Sequence, residues 1–155
     1  MAERKNIRLK DYDYSKSGYY FITICTKDKK QIFWNGVGAD IIRPGNYVLS
    51  KYGQIVDNVI LDISNHYENI FVDKYVIMPN HVHLIIFIKN EGRAMHAPTI
   101  SKVIQQMKGI VTKQVGYPIW QKLYYDHVIR NERNLYEIRK YIDDNPLKWE
   151  LDKYY

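Results

Sequence analysis

Residues 70–88 constrain the fold more than any other part of the chain. Ile70 to Met78 and His81 to Ile88 are rich in β-branched and apolar residues, and only Pro79-Asn80 separates them. So short a connection demands an antiparallel hairpin, because a parallel pair needs a crossover of roughly a dozen residues or more. A lone hairpin is marginal in water, so further strands or helices must cover its apolar face. The chain supplies them. Tyr19 to Thr26 (YYFITICT) reads as a strand. Ser50 to His66 carries Ile55, Val56, Val59, Ile60 and Ile63 at helical spacing, with Ser50 as N-cap. Thr99 or Ser101 caps a second helix reaching about Val115, with the stripe Ile100, Val103, Ile104, Met107, Ile110 and Val111.

Pro118 to Ile129 contains another strand. A last helix begins at Asn134, where Asn134-x-x-Glu137 resembles a capping box, and stops near Asn145, because Pro146 disfavours the α conformation before it. Residues 34–49 collect turn formers and read as irregular, with room for a short strand pair. The order β-α-β-β-α-β plus a terminal helix predicts a ferredoxin-like α+β fold, an antiparallel sheet with its helices on one face.

The 155 residues suit one domain, 1–155, with a basic, tyrosine-rich N-terminal arm over 1–18. A formal charge of +6 permits a polyanionic partner. The 15 tyrosines suit base stacking and equally suit amphipathic packing. Cys25 is the single cysteine, which excludes an internal disulfide or a multi-cysteine zinc site, and it reads as buried strand packing. No apolar run is long enough to span a membrane, and no apolar stretch follows the charged Met1-Ala2-Glu3-Arg4-Lys5. The expected location is the cytoplasm.

His81-Val82-His83 carries the most chemical information. Residues i and i+2 of a strand share a face, so the two imidazoles project together from Cα atoms about 6.5–7 Å apart, close enough to converge on one metal ion. They are equally well read as ordinary strand residues. Two histidines are too few for a structural zinc site, so a third ligand must come from elsewhere. Val82, Leu84, Ile86 and Ile88 point to the opposite face. Ile85 and Phe87 share the histidines' face, which therefore needs a cover, and the terminal helix is the candidate. On that helix Tyr141 and Asn145 lie one turn apart beside the stripe Leu135, Ile138 and Ile142. Asn145 can offer a carbonyl oxygen and Tyr141 a phenolic nucleophile, although one tyrosine among so many is also ordinary packing.

These segments carry a family resemblance. Pro79-Asn80-His81-Val82-His83 resembles the His-hydrophobe-His motif of single-tyrosine transposases. Trp120-Gln121 with Tyr124-Tyr125-Asp126-His127-Val128-Ile129-Arg130 resembles the segment before their last helix, and Tyr141-Ile142-Asp143-Asp144-Asn145-Pro146 the helix that carries their nucleophile. Arg8-Leu9-Lys10, Tyr12-Asp13-Tyr14-Ser15 and Tyr20-Phe21-Ile22-Thr23 fit the same group. The subgroup is the REP-associated tyrosine transposases, and the loop 89–98 is short for it.

The resemblance implies that His81 and His83 bind a divalent cation, Mg²⁺ with Mn²⁺ as substitute, that Asn145 is the third ligand, and that Tyr141 is the nucleophile. It implies cleavage and strand transfer of single-stranded or hairpin DNA through a 5′-phosphotyrosine. It further implies a nucleoid-associated prokaryotic protein, monomeric or homodimeric. His127 and Arg130 belong to the resembling segment; His127 either supports the site or is a structural histidine at a strand end. Lys102 and Lys108 either contact phosphate or form a solvated helix face, and Arg4, Lys5, Arg8 and Lys10 are candidates to grip DNA. His66 and His96 read as surface residues. Two other readings compete: a non-catalytic nucleic-acid-binding module, and a metal-dependent nuclease that uses water with Tyr141 as a spectator.

Overall fold

A computed structural model of the protein describes residues 18–35, 48–89, 99–146 and 148–149. Arg4, Lys5, Arg8, Lys10, His96 and nearly all of the 89–98 loop lie outside the described residues. The elements are β1 (Gly18–Cys25), β2 (Trp34–Asn35), β3 (Val48–Leu49), α1 (Lys51–His66), β4 (Ile70–Ile77), β5 (His81–Ile88), α2 (Ile100–Val115), β6 (Tyr125–Ile129) and α3 (Glu132–Asp144). The long strands form a four-stranded sheet in the order β4-β5-β1-β6, antiparallel at every pairing. This is the expected ferredoxin-like arrangement, with β2 and β3 paired separately as the short strand pair.

The hairpin closes where Met78 N–H donates to the His81 carbonyl at 2.8 Å. Ser50 caps α1 by accepting from Gly53 N–H (3.1 Å), and Thr99 caps α2 by accepting from Lys102 N–H (3.2 Å). The third helix departs from expectation. Its N-cap is Asn131, whose side chain accepts from Asn134 N–H at 2.7 Å, so Asn134 is the third helical residue and not the cap. An Asn three residues upstream satisfies the same orphan N–H groups, and with Glu132 it places an acid in the first turn. The strand expected within 118–129 is confined to Tyr125–Ile129, preceded by one bridge between Thr26 and Trp120.

Alternation sorts the two faces of the sheet. Tyr20, Ile22, Ile24, Val82, Leu84, Ile86 and Ile88 share one face and are fully buried. Phe21, Thr23, Cys25, His81, His83, Ile85 and Phe87 share the other. That second face is not open, since His81, His83 and Ile85 are all buried. Its cover is α3 and the residues after it. Gly53 explains how α1 seats: a Cβ there would lie 2.3 Å from the Phe33 carbonyl oxygen, which is backbone and cannot swing away. Gly53→Ala should therefore destabilise the fold by about 2–3 kcal/mol, as read by urea unfolding, where the same change in an exposed helix interior stabilises by about 0.5–1 kcal/mol.

Candidate active site

The histidine pair sits at the start of β5, and its neighbours fix each ring. Register pairs His83 with Thr23 on β1, and Thr23 Oγ1 lies 2.8 Å from His83 Nδ1. Asn80, the last residue of the turn, places Oδ1 2.7 Å from His81 Nδ1. Its amide is oriented from the other end, where Nδ2 donates to the Lys29 carbonyl at 3.5 Å. An amide oxygen only accepts, so His81 Nδ1 is the donor in this contact. Both rings are thus held through Nδ1, the arrangement by which proteins orient an imidazole that ligates through Nε2. The ring centroids are 4.6 Å apart.

The terminal helix delivers Tyr141 to this pair. The Tyr141 ring lies 5.3 Å from the His83 ring and meets Phe21 edge-on at 6.2 Å. Phe21 in turn contacts His83 at 5.3 Å, so the three rings form one cluster. Tyr141 remains 39% exposed, which leaves a route to it from solvent. Asn145 is buried, and its Nδ2 donates to the Tyr141 carbonyl at 2.9 Å. Past the helix, Trp149 is fully buried and stacks on His81 at 6.0 Å. Asn145 therefore lies midway along a segment whose two ends rest on His83 and His81.

Ion pairs set the roll of α3. Leu135, Ile138 and Ile142 form its inner stripe, with Tyr141 and Asn145 on one flank and Arg139 and Asp143 on the other. Arg139 donates twice to Asp73, at 2.8 and 2.6 Å, and Lys74 donates to Asp143 at 2.7 Å. Asp73 and Lys74 sit where β4 bulges between Val72 and Lys74, so the bulge presents both charges to the helix. Asp73 holds the Arg139 guanidinium above its ordinary pKa. Two latches on the far flank resist rotation that would lift Tyr141 from His83.

Comparison with known proteins follows the same lines. No family model matches the chain. An uncharacterized protein of Haemophilus influenzae is 33% identical over 98% of this chain and 93% of its own length. A second Haemophilus influenzae protein, described as a "Putative REP-associated tyrosine transposase", is 24% identical over 88% of this chain and 74% of its own. Two solved structures share the fold. One is a REP-associated tyrosine transposase bound to a REP hairpin, with TM-score 0.66 and 22% identity over 95% of this chain and 77% of that one. The chain is thus similar in sequence to one protein described as a REP-associated tyrosine transposase and in fold to another. The other structure, a "putative transposase" from Deinococcus radiodurans R1, has TM-score 0.53 and 15% identity over 89% of this chain and 96% of that one.

The structure brings His81, His83 and Tyr141 together, and it buries Asn145 one helical turn beyond Tyr141. The other sequence candidates stand apart. His127 is exposed and its Nε2 lies 3.1 Å from Asn134 Oδ1, tying β6 to the first turn of α3. Arg130 is exposed just past β6, and Lys102 is exposed on α2. Lys108 is half-buried and donates to the carbonyls of Gln121 (2.7 Å) and Lys122 (3.2 Å), a staple from α2 to the approach of β6. Burial lowers its pKa. Sequence reasoning missed Thr23, Asn80 and Trp149. The Asn80-His81 adjacency was a usable signal for one of them, whereas Thr23 and Trp149 reach the histidines only through strand register and chain return. Among the described residues no group of three or more His, Cys, Asp or Glu side chains is placed to hold a metal ion, and no helix is long and apolar enough to cross a membrane.

Proposed function

We propose that this chain cleaves and rejoins single-stranded or hairpin-flanked DNA through a covalent tyrosine intermediate. The observation that carries the reading is the packing of the Tyr141 ring on His83, whose own Nδ1 is engaged by Thr23. His81 and His83 through Nε2, with the Asn145 carbonyl, make a donor set of two nitrogens and one oxygen. That set fits a divalent cation of the Mg²⁺/Mn²⁺ class, with imidazole favouring Mn²⁺ and its later neighbours over Mg²⁺. Such a cation, when bound, neutralises the phosphate and orients it for in-line displacement.

The chain's residues do the rest. The Tyr141 hydroxyl gives up its proton to solvent, its Oη attacks phosphorus, and a new P–O bond forms as the bond to the 3′ oxygen breaks. The leaving oxygen takes up a proton and becomes a free 3′-OH, and the 5′ phosphate stays on Tyr141. Phosphodiester energy is conserved, so a 3′-OH can reverse the step and join a different strand. Phe21 limits the travel of the Tyr141 ring, and the Arg139–Asp73 pair keeps the helix from turning it away. The partner under this reading is DNA whose scissile phosphate is splayed from a duplex.

The test is trapping: wild-type protein, single-stranded DNA carrying its hairpin, and Mn²⁺ should yield a denaturation-resistant protein–DNA adduct. The reading also assigns Thr23 an orienting role. Thr23→Val keeps a β-branched shape in the sheet and removes only the hydroxyl. Mn²⁺ affinity measured by calorimetry should then fall about 10–100-fold with the fold retained. Unchanged affinity would mean that Thr23 does not orient a ligand.

A further inference from the structure

A second feature faces the same end of the sheet. Directly after β1, residues Lys27–Lys29 form a single tight turn in which Asp28 (φ 58°) and Lys29 (φ 54°) are left-handed, a conformation that side-chain-bearing residues rarely adopt. Such strain persists where surrounding contacts over-determine it. Here Lys29 N–H donates to the Thr26 carbonyl (3.2 Å) and Lys30 N–H to the Lys27 carbonyl (3.3 Å). Thr26 N–H donates to the Asn80 carbonyl at 2.9 Å, and the Lys29 carbonyl accepts from Asn80 Nδ2 at 3.5 Å. Asn80 is the residue that holds His81. The backbone of the turn that carries Lys27, Lys29 and Lys30 is thus hydrogen-bonded to Asn80, the neighbour of His81. Among the described residues none of these lysines is in an ion pair.

The turn also forms one wall of a pocket of about 260 Å³, lined by Lys27, Asp28, Lys30, Ile32, Tyr117 and Ile119 together with Pro118. Tyr117 is 47% exposed there, and its ring is fixed from behind by an edge-on contact with Tyr52 at 6.0 Å. The neighbouring Tyr52 raises the Tyr117 pKa, so the phenol stays neutral and does not repel an anion. A held aromatic ring beside unpaired ammonium groups is the combination that binds single-stranded nucleic acid without reading its sequence.

We propose that this pocket is a subsite for one nucleotide of the strand entering the histidine site, with its base on Tyr117 and its phosphate between Lys27 and Lys30. The proposal rests on the strand-transfer reading for the identity of the ligand, and its test separates the two. Fluorescein-labelled single-stranded DNA is titrated with wild type, Lys27→Ala/Lys30→Ala and Tyr117→Ala at several salt concentrations, and adduct formation is followed in parallel. The lysine pair should lose about tenfold in affinity and lower the slope of log K against log salt by about 0.7, the share of the single phosphate it holds. Tyr117→Ala should lose about tenfold with the slope unchanged. Wild-type binding that both variants match in affinity and slope overturns the subsite and leaves the strand-transfer reading standing. The expected losses in binding, with no adduct from any protein, support the subsite and count against strand transfer. No binding by wild type overturns both.

Discussion

Tyr141→Phe is expected to fold, bind single-stranded DNA like wild type and form no covalent adduct. Phe keeps the ring that packs on His83 and Phe21, so the cluster is preserved. Only the attacking oxygen is lost, and no other tyrosine of α3 replaces it, because Tyr136 lies on an exposed side of the helix. Loss of a sole nucleophile lowers the rate by at least about 10⁴-fold, below detection in a gel assay. The measurement is a denaturing gel of radiolabelled DNA, with mass spectrometry of the adducted peptide from wild type. An adduct persisting in Tyr141→Phe, or mapped to Tyr124 or Tyr125, would move the nucleophile. Cleavage without any adduct would favour water as the nucleophile, with Tyr141 as a spectator.

His81→Ala and His83→Ala are expected to lose Mn²⁺ binding and to cut cleavage by about 10³-fold or more. Each ring is fully buried, so its removal also leaves a cavity that costs about 2–4 kcal/mol. His81→Gln and His83→Gln fill more of that space without restoring an imidazole nitrogen. They should stay folded by circular dichroism, bind DNA, and still fail to bind Mn²⁺ by calorimetry. A folded variant that cleaves at the wild-type rate would remove the metal role from that histidine. Asn145 contributes a single neutral oxygen that water can replace, so Asn145→Ala should weaken Mn²⁺ binding less than either histidine change.

The features legible from the sequence are those set within a few residues. The facing of His81 and His83 follows from the two-residue period of a strand, and the hairpin from a connection too short for anything else. Ser50 and Thr99 cap their helices through an N–H three residues on, a contact the chain makes with itself locally. The same rule misplaced the start of α3, because Asn131 and Asn134 both carry cap chemistry and only the tertiary placement of β6 decides where the helix begins.

The site's working arrangement was not local. Thr23 reaches His83 across a separation of 60 residues through strand register. Arg139 reaches Asp73 across 66 through a bulge. Trp149 reaches His81 by a chain return beyond Pro146 that has no period to read. The sequence by itself singled out His81, His83, Tyr141 and Asn145 as candidates and determined which strand face the histidines share. Only the tertiary structure decided that Tyr141 rests on His83, because that contact depends on how α3 rolls on the sheet. Buried packing and two ion pairs from a distant strand fix that roll.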